Sequence, residues 1–172
     1  MAMGNMVIFL SQFALSLVLY WLLAKHIFWE FAKGLPTEKL NALLLVPHAF
    51  RLLGLLAIVP GVVGEPLAKT SFASSVAYGD AIVAPLAVVA IWLWLSGRRS
   101  AKAATWLFSV IASLDLANAL FGALTLPVYN YDIGAFWIVL TYIVPLLLVT
   151  QVMIFVQLLI PSKSGQAGVL QS

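Results

Sequence analysis

Five long apolar runs dominate the sequence and constrain its fold more than any other feature. Each run has about 20 to 26 residues, so at about 1.5 Å of rise per residue a helix made from it can cross a hydrocarbon core about 30 Å thick. The runs lack the alternation of a membrane β-barrel. We therefore predict an all-α integral membrane protein, a bundle of five transmembrane helices. The predicted spans cover approximately residues 6–28, 40–59, 73–95, 103–123 and 135–160.

Composition excludes the main alternatives to a membrane protein. Only 9% of the 172 residues are charged and 63% are hydrophobic, whereas a soluble domain has about 25% charged residues. A soluble enzyme and a disordered chain are thereby excluded. The absence of cysteine excludes a disulfide scaffold and thiol chemistry. We expect one five-helix domain over residues 1–161, followed by a short polar cytoplasmic tail at residues 162–172.

The distribution of basic residues predicts the orientation of the helices. With five spans, the segments after spans one, three and five face the same side of the membrane, and the 60–72 and 124–134 loops face the other side with the N-terminus. The second side has only Lys69. Because basic residues favour the cytoplasmic side, we predict the N-terminus outside and the C-terminus inside, in the cell membrane. This placement also explains the net charge of +3 without a nucleic-acid partner. The first side has seven basic residues: Lys25, Lys33, Lys39, Arg98, Arg99, Lys102 and Lys163.

Polar side chains within the predicted spans indicate a buried site. A charge at the bilayer centre costs at least ~2.5 kcal/mol, so such residues usually have a function. Distances along the helices place five of these side chains in one slab about 6 Å thick near the midplane, with His48 about one turn nearer the cytoplasm. Asp80 also shares a helical face with alanines that let another helix approach closely. The predicted site contains His48, Arg51, Asp80, Asp115, Asn118 and Tyr142.

The charges of this site do not balance, because one arginine cannot neutralise two aspartates. Either one carboxyl is protonated, or His48 or a bound cation supplies the balance. Arg51 and Asp115 lie at nearly the same depth, so we predict that they are in contact. Asp80 is then the surplus carboxyl, protonated for part of a working cycle. Asp80 and Asp115 are the candidate acid–base pair.

The leading functional hypothesis is a bundle that binds a small lipophilic, lipid-like or isoprenoid-like molecule. His48, Arg51, Asn118 and Tyr142 would bind its polar end, and acid–base chemistry there would make the protein an enzyme. The apolar walls would include Phe50, Phe121, Phe136 and Trp137.

Two other classes of function remain open. One is an oligomeric transporter or channel subunit coupled to protons or cations. The other is a structural subunit of a membrane complex, in which the charges join helices and a partner subunit covers the apolar faces. Glu65, in the outer loop, is either a solvated turn residue or a gate. The chain has two histidines and no cysteine and lacks phosphate-loop and hydrolase motifs, so we expect neither a metal nor a cofactor.

Thiol labelling of intact cells tests the predicted topology. Single cysteines at Thr70 and Asn130 should react with a membrane-impermeant reagent, because both positions lie in the predicted outer loops. Cysteines at Ser100 and Ser164 should be protected, because these positions lie on the predicted cytoplasmic side. The reverse labelling pattern would show that the orientation is inverted.

Overall fold

The computed structural model describes residues 2–159, with side chains described from Gly4 onward. Within this part of the chain the protein is all-helical, and five helices are long and apolar enough to cross a membrane by length and composition. They suggest a membrane protein. The predicted tail at residues 162–172, like Ile160, lies outside the described residues. The five helices are α1 (Gly4–Ala32), α2 (Thr37–Ile58), α3 (Ser71–Leu95), α4 (Ala101–Thr125) and α5 (Phe136–Leu159).

Each helix corresponds to one of the five apolar runs, and the observed bounds differ from the predicted bounds by at most four residues. The largest difference is at the end of α1, which continues past Phe28 to Ala32. A π-helical turn at Ala24–Phe28 joins the two parts of this helix. The helix therefore continues beyond the apolar run and includes Glu30, which forms an exposed ion pair with Lys33.

Two connecting segments and the start of α1 meet at one end of the bundle, here called the N-terminal end. The Gly64 amide donates to the Asp132 carbonyl at 2.7 Å, which joins the α2–α3 connection to the α4–α5 connection. The Phe9 ring of α1 lies 6.2 Å from the Tyr129 ring and 5.3 Å from the Trp137 ring. Short connections make successive helices antiparallel. Helices α2 and α4 therefore both run toward this end.

Helix α3 packs closely against α2 and α4 along a face of small residues. The alanines of this face alternate at spacings of three and four residues with Asp80 among them, which is the period of one helical face. All are buried, and Asp80 is only 7% exposed. The close approach expected from the sequence is thus present, and it brings the Asp80 carboxyl against a neighbouring helix. The alanines are Ala73, Ala77, Ala84 and Ala87.

The second half of α2 is not an α-helix. Thr37–Ala49 is α-helical, and Phe50–Ile58 is a 3₁₀ helix, longer than the three or four residues usual for this form. Pro47, which has no N–H to donate, lies just before the change. Because a 3₁₀ helix has three residues per turn, positions 51, 54 and 57 align along one side. Arg51, Gly54 and Ala57 are the buried residues of this segment.

Helix α5 begins with another irregularity. After one short turn, residues 139–143 form a π-helical turn in which the Val144 amide donates to the Val139 carbonyl. Pro145 follows directly and cannot donate to the carbonyl four residues earlier, which belongs to Thr141. Regular α-helix continues to Leu159. The π turn therefore changes the direction of side chains at the start of α5 relative to an uninterrupted helix.

Replacement of Gly134 should destabilise the N-terminal end. Gly134 has φ +47°, and a Cβ atom there would overlap the Val62 carbonyl oxygen. The left-handed conformation alone costs a residue with a side chain roughly 1–2 kcal/mol. Gly134→Ala should therefore lower the unfolding temperature of the purified protein in detergent. Gly34→Ala is the control, because no atom lies within 4 Å of its added Cβ. Equal losses in the two variants would contradict this reading of the loop.

Candidate functional site

A buried guanidinium joins two carboxylates at the centre of the bundle. Arg51 Nε donates to Asp80 Oδ1, and Arg51 Nη2 donates to Asp115 Oδ2. The side chain of Arg51 is 2% exposed, and those of Asp80 and Asp115 are 10% and 12% exposed. Arg51 Nη1 also lies 3.5 Å from the Ala112 carbonyl oxygen. We call Arg51, Asp80 and Asp115 the charged triad; it ties α2, α3 and α4 together.

The predicted contact between Arg51 and Asp115 is therefore present. The structure differs from the expectation in that Asp80 reaches the same guanidinium and does not lie apart from it. Asp80 reaches the guanidinium because both side chains point to the same place. Arg51 lies on the buried side of the 3₁₀ segment, and Asp80 lies on the alanine face of α3 that packs against it. Protonation of Asp80 during a working cycle stays a prediction.

Two glycines make room for the charged triad. A Cβ atom at Gly54 would overlap Asp80 Oδ2, and one at Gly79 would overlap Asp115 Oδ1. Each carboxylate thus packs directly on the backbone of a neighbouring helix. The sequence analysis missed both residues. Their signal is glycine within a helix, which normally costs about 1 kcal/mol relative to alanine and in membrane helices marks close approach.

The charged triad faces a cavity of about 400 Å³ in the half of the bundle nearer the N-terminal end. All five helices contribute to its lining. Among the described residues, the triad provides the only charged groups in this lining, and Tyr129 adds one hydroxyl. The cavity is therefore an apolar chamber with a charged floor. Its aromatic walls include Phe9, Phe13, Phe50, Phe72 and Phe136.

Two of the four predicted aromatic wall residues, Phe50 and Phe136, line the cavity, and the other two do not. The Trp137 indole donates to Gln12 Oε1 at 2.5 Å and packs against Phe9. Trp137 thus packs against a lining residue without lining the cavity itself. Phe121 is 69% exposed on the outside of α4.

His48 belongs to a separate polar layer, about one turn of α2 nearer the other end of the bundle. Its ring is fully buried, with Nε2 3.1 Å from Thr150 Oγ1 and the Phe108 ring packed edge-on at 5.1 Å. Within residues 4–159, four buried side-chain atoms have no hydrogen-bond partner: His48 Nδ1, Ser109 Oγ, Ser113 Oγ and Gln151 Oε1. His48 does not line the cavity, although the sequence analysis predicted that it binds a ligand there.

Three other candidate residues also lie away from the cavity lining. Asn118 Nδ2 donates to Ser75 Oγ at 2.7 Å on the exposed side of α3 and α4. Tyr142, in the π turn, is 41% exposed. Glu65 forms an ion pair with Lys69 at 2.8 Å, and its side chain is 84% exposed. Among the described residues, no three His, Asp or Glu side chains cluster in a way that could hold a metal ion.

Removal of the guanidinium should destabilise the protein more than removal of all three charges. Arg51→Leu leaves two carboxylates without their cation, and breaking a buried ion pair in this way costs about 3–5 kcal/mol. The triple variant Arg51→Leu/Asp80→Leu/Asp115→Leu leaves no buried charge at the site and should recover part of this loss. Unfolding temperatures of the variants in one detergent test this expectation.

The control is Lys33→Leu, which breaks the exposed ion pair with Glu30. Exposed pairs contribute only about 0–1 kcal/mol, so this variant should unfold close to wild type. If the triple variant loses as much stability as the sum of the three single variants, the three side chains do not interact.

Comparison with known families identifies the family to which this chain belongs. A family model described as a domain of unknown function, DUF8737, matches residues 8–159, so the chain belongs to this family. The match includes all five helices except the first four residues of α1. No curated protein and no solved structure matches the chain.

Proposed function

We propose that this family member binds a small lipophilic molecule in the cavity, with the polar end of the molecule at the charged triad. The observation on which the proposal depends is that a desolvated ion cluster forms the floor of an apolar chamber. The volume of about 400 Å³ lies within the range of about 300–1,000 Å³ typical of small-molecule sites. Such sites combine apolar walls with a few convergent polar groups.

A purely structural role for the triad explains the ion pairs but not the chamber. The cavity is partly open to the outside of the bundle, since Phe50 and Leu124 in its lining are 62% and 84% exposed. Helices that packed only for stability would close such a gap. Charges that only joined helices would be better stabilised in a filled interface than beside apolar space, because a desolvated charge needs polar partners. The cavity therefore favours ligand binding over assembly alone.

In the proposed arrangement the five helices cross the cell membrane with the N-terminus outside. The seven-to-one distribution of basic residues supports this orientation. The N-terminal end then faces outward, and the cavity lies in the outer half of the bilayer. A lipophilic molecule would reach the cavity from the surrounding lipid, and its apolar part would contact the phenylalanine walls.

An acid–base role for Asp80 and Asp115 stays a prediction. Both carboxyls line the cavity, so a polar end that binds there would lie beside two groups able to exchange protons. Asn118, Tyr142 and His48 contribute through packing in this proposal, since they do not line the cavity.

Mass spectrometry of the purified protein tests the proposed function. We expect wild type, extracted in mild detergent, to retain one lipophilic small molecule in near-stoichiometric amount. Ala119→Phe should lose it, because Ala119 lines the cavity and a phenyl ring there would occupy ligand space. The unfolding temperature of this variant, measured in parallel, shows that the loss is not caused by misfolding.

Leu114→Phe is the matched control on the same helix. Leu114 is 67% exposed and does not line the cavity, so the larger ring should leave retention unchanged. Identical molecules and amounts recovered from wild type, Ala119→Phe and Leu114→Phe would contradict binding in the cavity.

A further inference from the structure

The floor of the cavity has an excess of carboxylate. Its charged lining consists of Asp80, Asp115 and Arg51, which gives a formal charge of −1 when both carboxylates are ionised. His48, the nearest candidate for a compensating positive charge, interacts with Thr150 on another side and does not reach the lining. Among the described residues, the lining has no lysine and no second arginine. With both carboxylates ionised, the protein therefore leaves part of the negative charge at the floor without a partner.

The two carboxylates also have unused acceptor atoms. Arg51 binds Asp80 Oδ1 and Asp115 Oδ2, whereas Asp80 Oδ2 and Asp115 Oδ1 accept no hydrogen bond from the described residues. These two oxygens lie against Gly54 and Gly79, which have no side chain to donate. Neither oxygen is fully enclosed by the protein, and both residues line the cavity.

Most N–H donors of the Arg51 guanidinium already have acceptors within the protein. Three of its five N–H groups point to acceptors: Nε to Asp80, one on Nη2 to Asp115, and one on Nη1 toward the Ala112 carbonyl. An anionic head group at this floor would be repelled by the two carboxylates, and only the two remaining N–H groups of Arg51 could donate to it. A donor head group would instead satisfy the free oxygens and reduce the charge imbalance.

We infer that the ligand is a lipophilic cation, a hydrocarbon body with a protonated amine that binds Asp80 Oδ2 and Asp115 Oδ1. This inference rests on the proposed function and specifies the class of its ligand. An ammonium group donates up to three hydrogen bonds and carries the missing positive charge. Any donor to an ionised carboxylate makes a charge-assisted hydrogen bond, and an ammonium group adds the attraction between opposite charges. A neutral alcohol can make only one such donation, so it binds the same place more weakly.

Three probes with one hydrocarbon chain test this inference: dodecylamine, dodecanol and dodecanoate. Binding is measured on the full-length protein in phosphatidylcholine nanodiscs, with each affinity referred to the mole fraction of probe in the lipid. Wild type should bind dodecylamine about tenfold more tightly than dodecanol, because only the ammonium group brings a positive charge to the carboxylates. Dodecanoate should bind most weakly.

The variant Asp115→Asn separates the effect of the carboxylate charge on binding from the effect of side-chain size. It keeps the size of the side chain and removes one negative charge, so affinity for dodecylamine should fall about tenfold while affinity for dodecanol changes less than about threefold. Asp80→Asn provides a second variant with the same expectation in case the first does not fold. Lys33→Leu, which alters an exposed charge far from the lining, should not change the order of the probes.

The outcomes distinguish this inference from the proposed function. If dodecanoate or dodecanol binds wild type as tightly as dodecylamine, the cationic class is wrong, while binding in the cavity stands. Equal dodecylamine affinity in wild type and both asparagine variants would also overturn it. If no probe binds wild type more tightly than Ala119→Phe, the cavity is not the binding site, and the proposed function fails with the inference.

Discussion

The pairing of one guanidinium with two carboxylates determines much of the bundle around it. A charge removed from water is costly unless it is paired and hydrogen-bonded, and the cost is greatest where no water can relax around it. Arg51 satisfies this condition only because α2, α3 and α4 approach within contact of one another. Gly54, Gly79 and the alanine face of α3 provide that approach. Small residues and buried ions are thus parts of one arrangement.

The sequence predicts position along a helix far better than direction around it. Helix length and loop position follow from the apolar runs, and so the depths of Arg51 and Asp115 agreed well enough to predict their contact. The same depth argument grouped Asn118 and Tyr142 with them, yet both point elsewhere. Rotation about the axis depends on the helix type, and neither the 3₁₀ segment of α2 nor the π turn of α5 follows from hydrophobic periodicity.

The polar groups of the core form two layers with different surroundings. The charged triad borders the cavity, and two of its carboxylate oxygens accept no hydrogen bond from the described residues. The layer around His48 and Gln151 is enclosed by α2, α4 and α5, and Phe108 packs on its histidine. The helical rise predicted His48 about one turn from the other polar residues, but its place only three residues from Arg51 led us to group it with the ligand-binding residues. One layer borders open space, and the other belongs to the packed interior.

The helical form of α2 also affects how far this helix extends along the bundle. Helix α2 has 22 residues, whereas α3 and α4 each have 25. A 3₁₀ helix rises about 2.0 Å per residue and an α-helix about 1.5 Å, so the nine residues of Phe50–Ile58 extend α2. Its length becomes about 37 Å, equal to that of its 25-residue neighbours. Although α2 has the fewest residues of the three helices that meet at the triad, it therefore extends as far along the bundle as the other two.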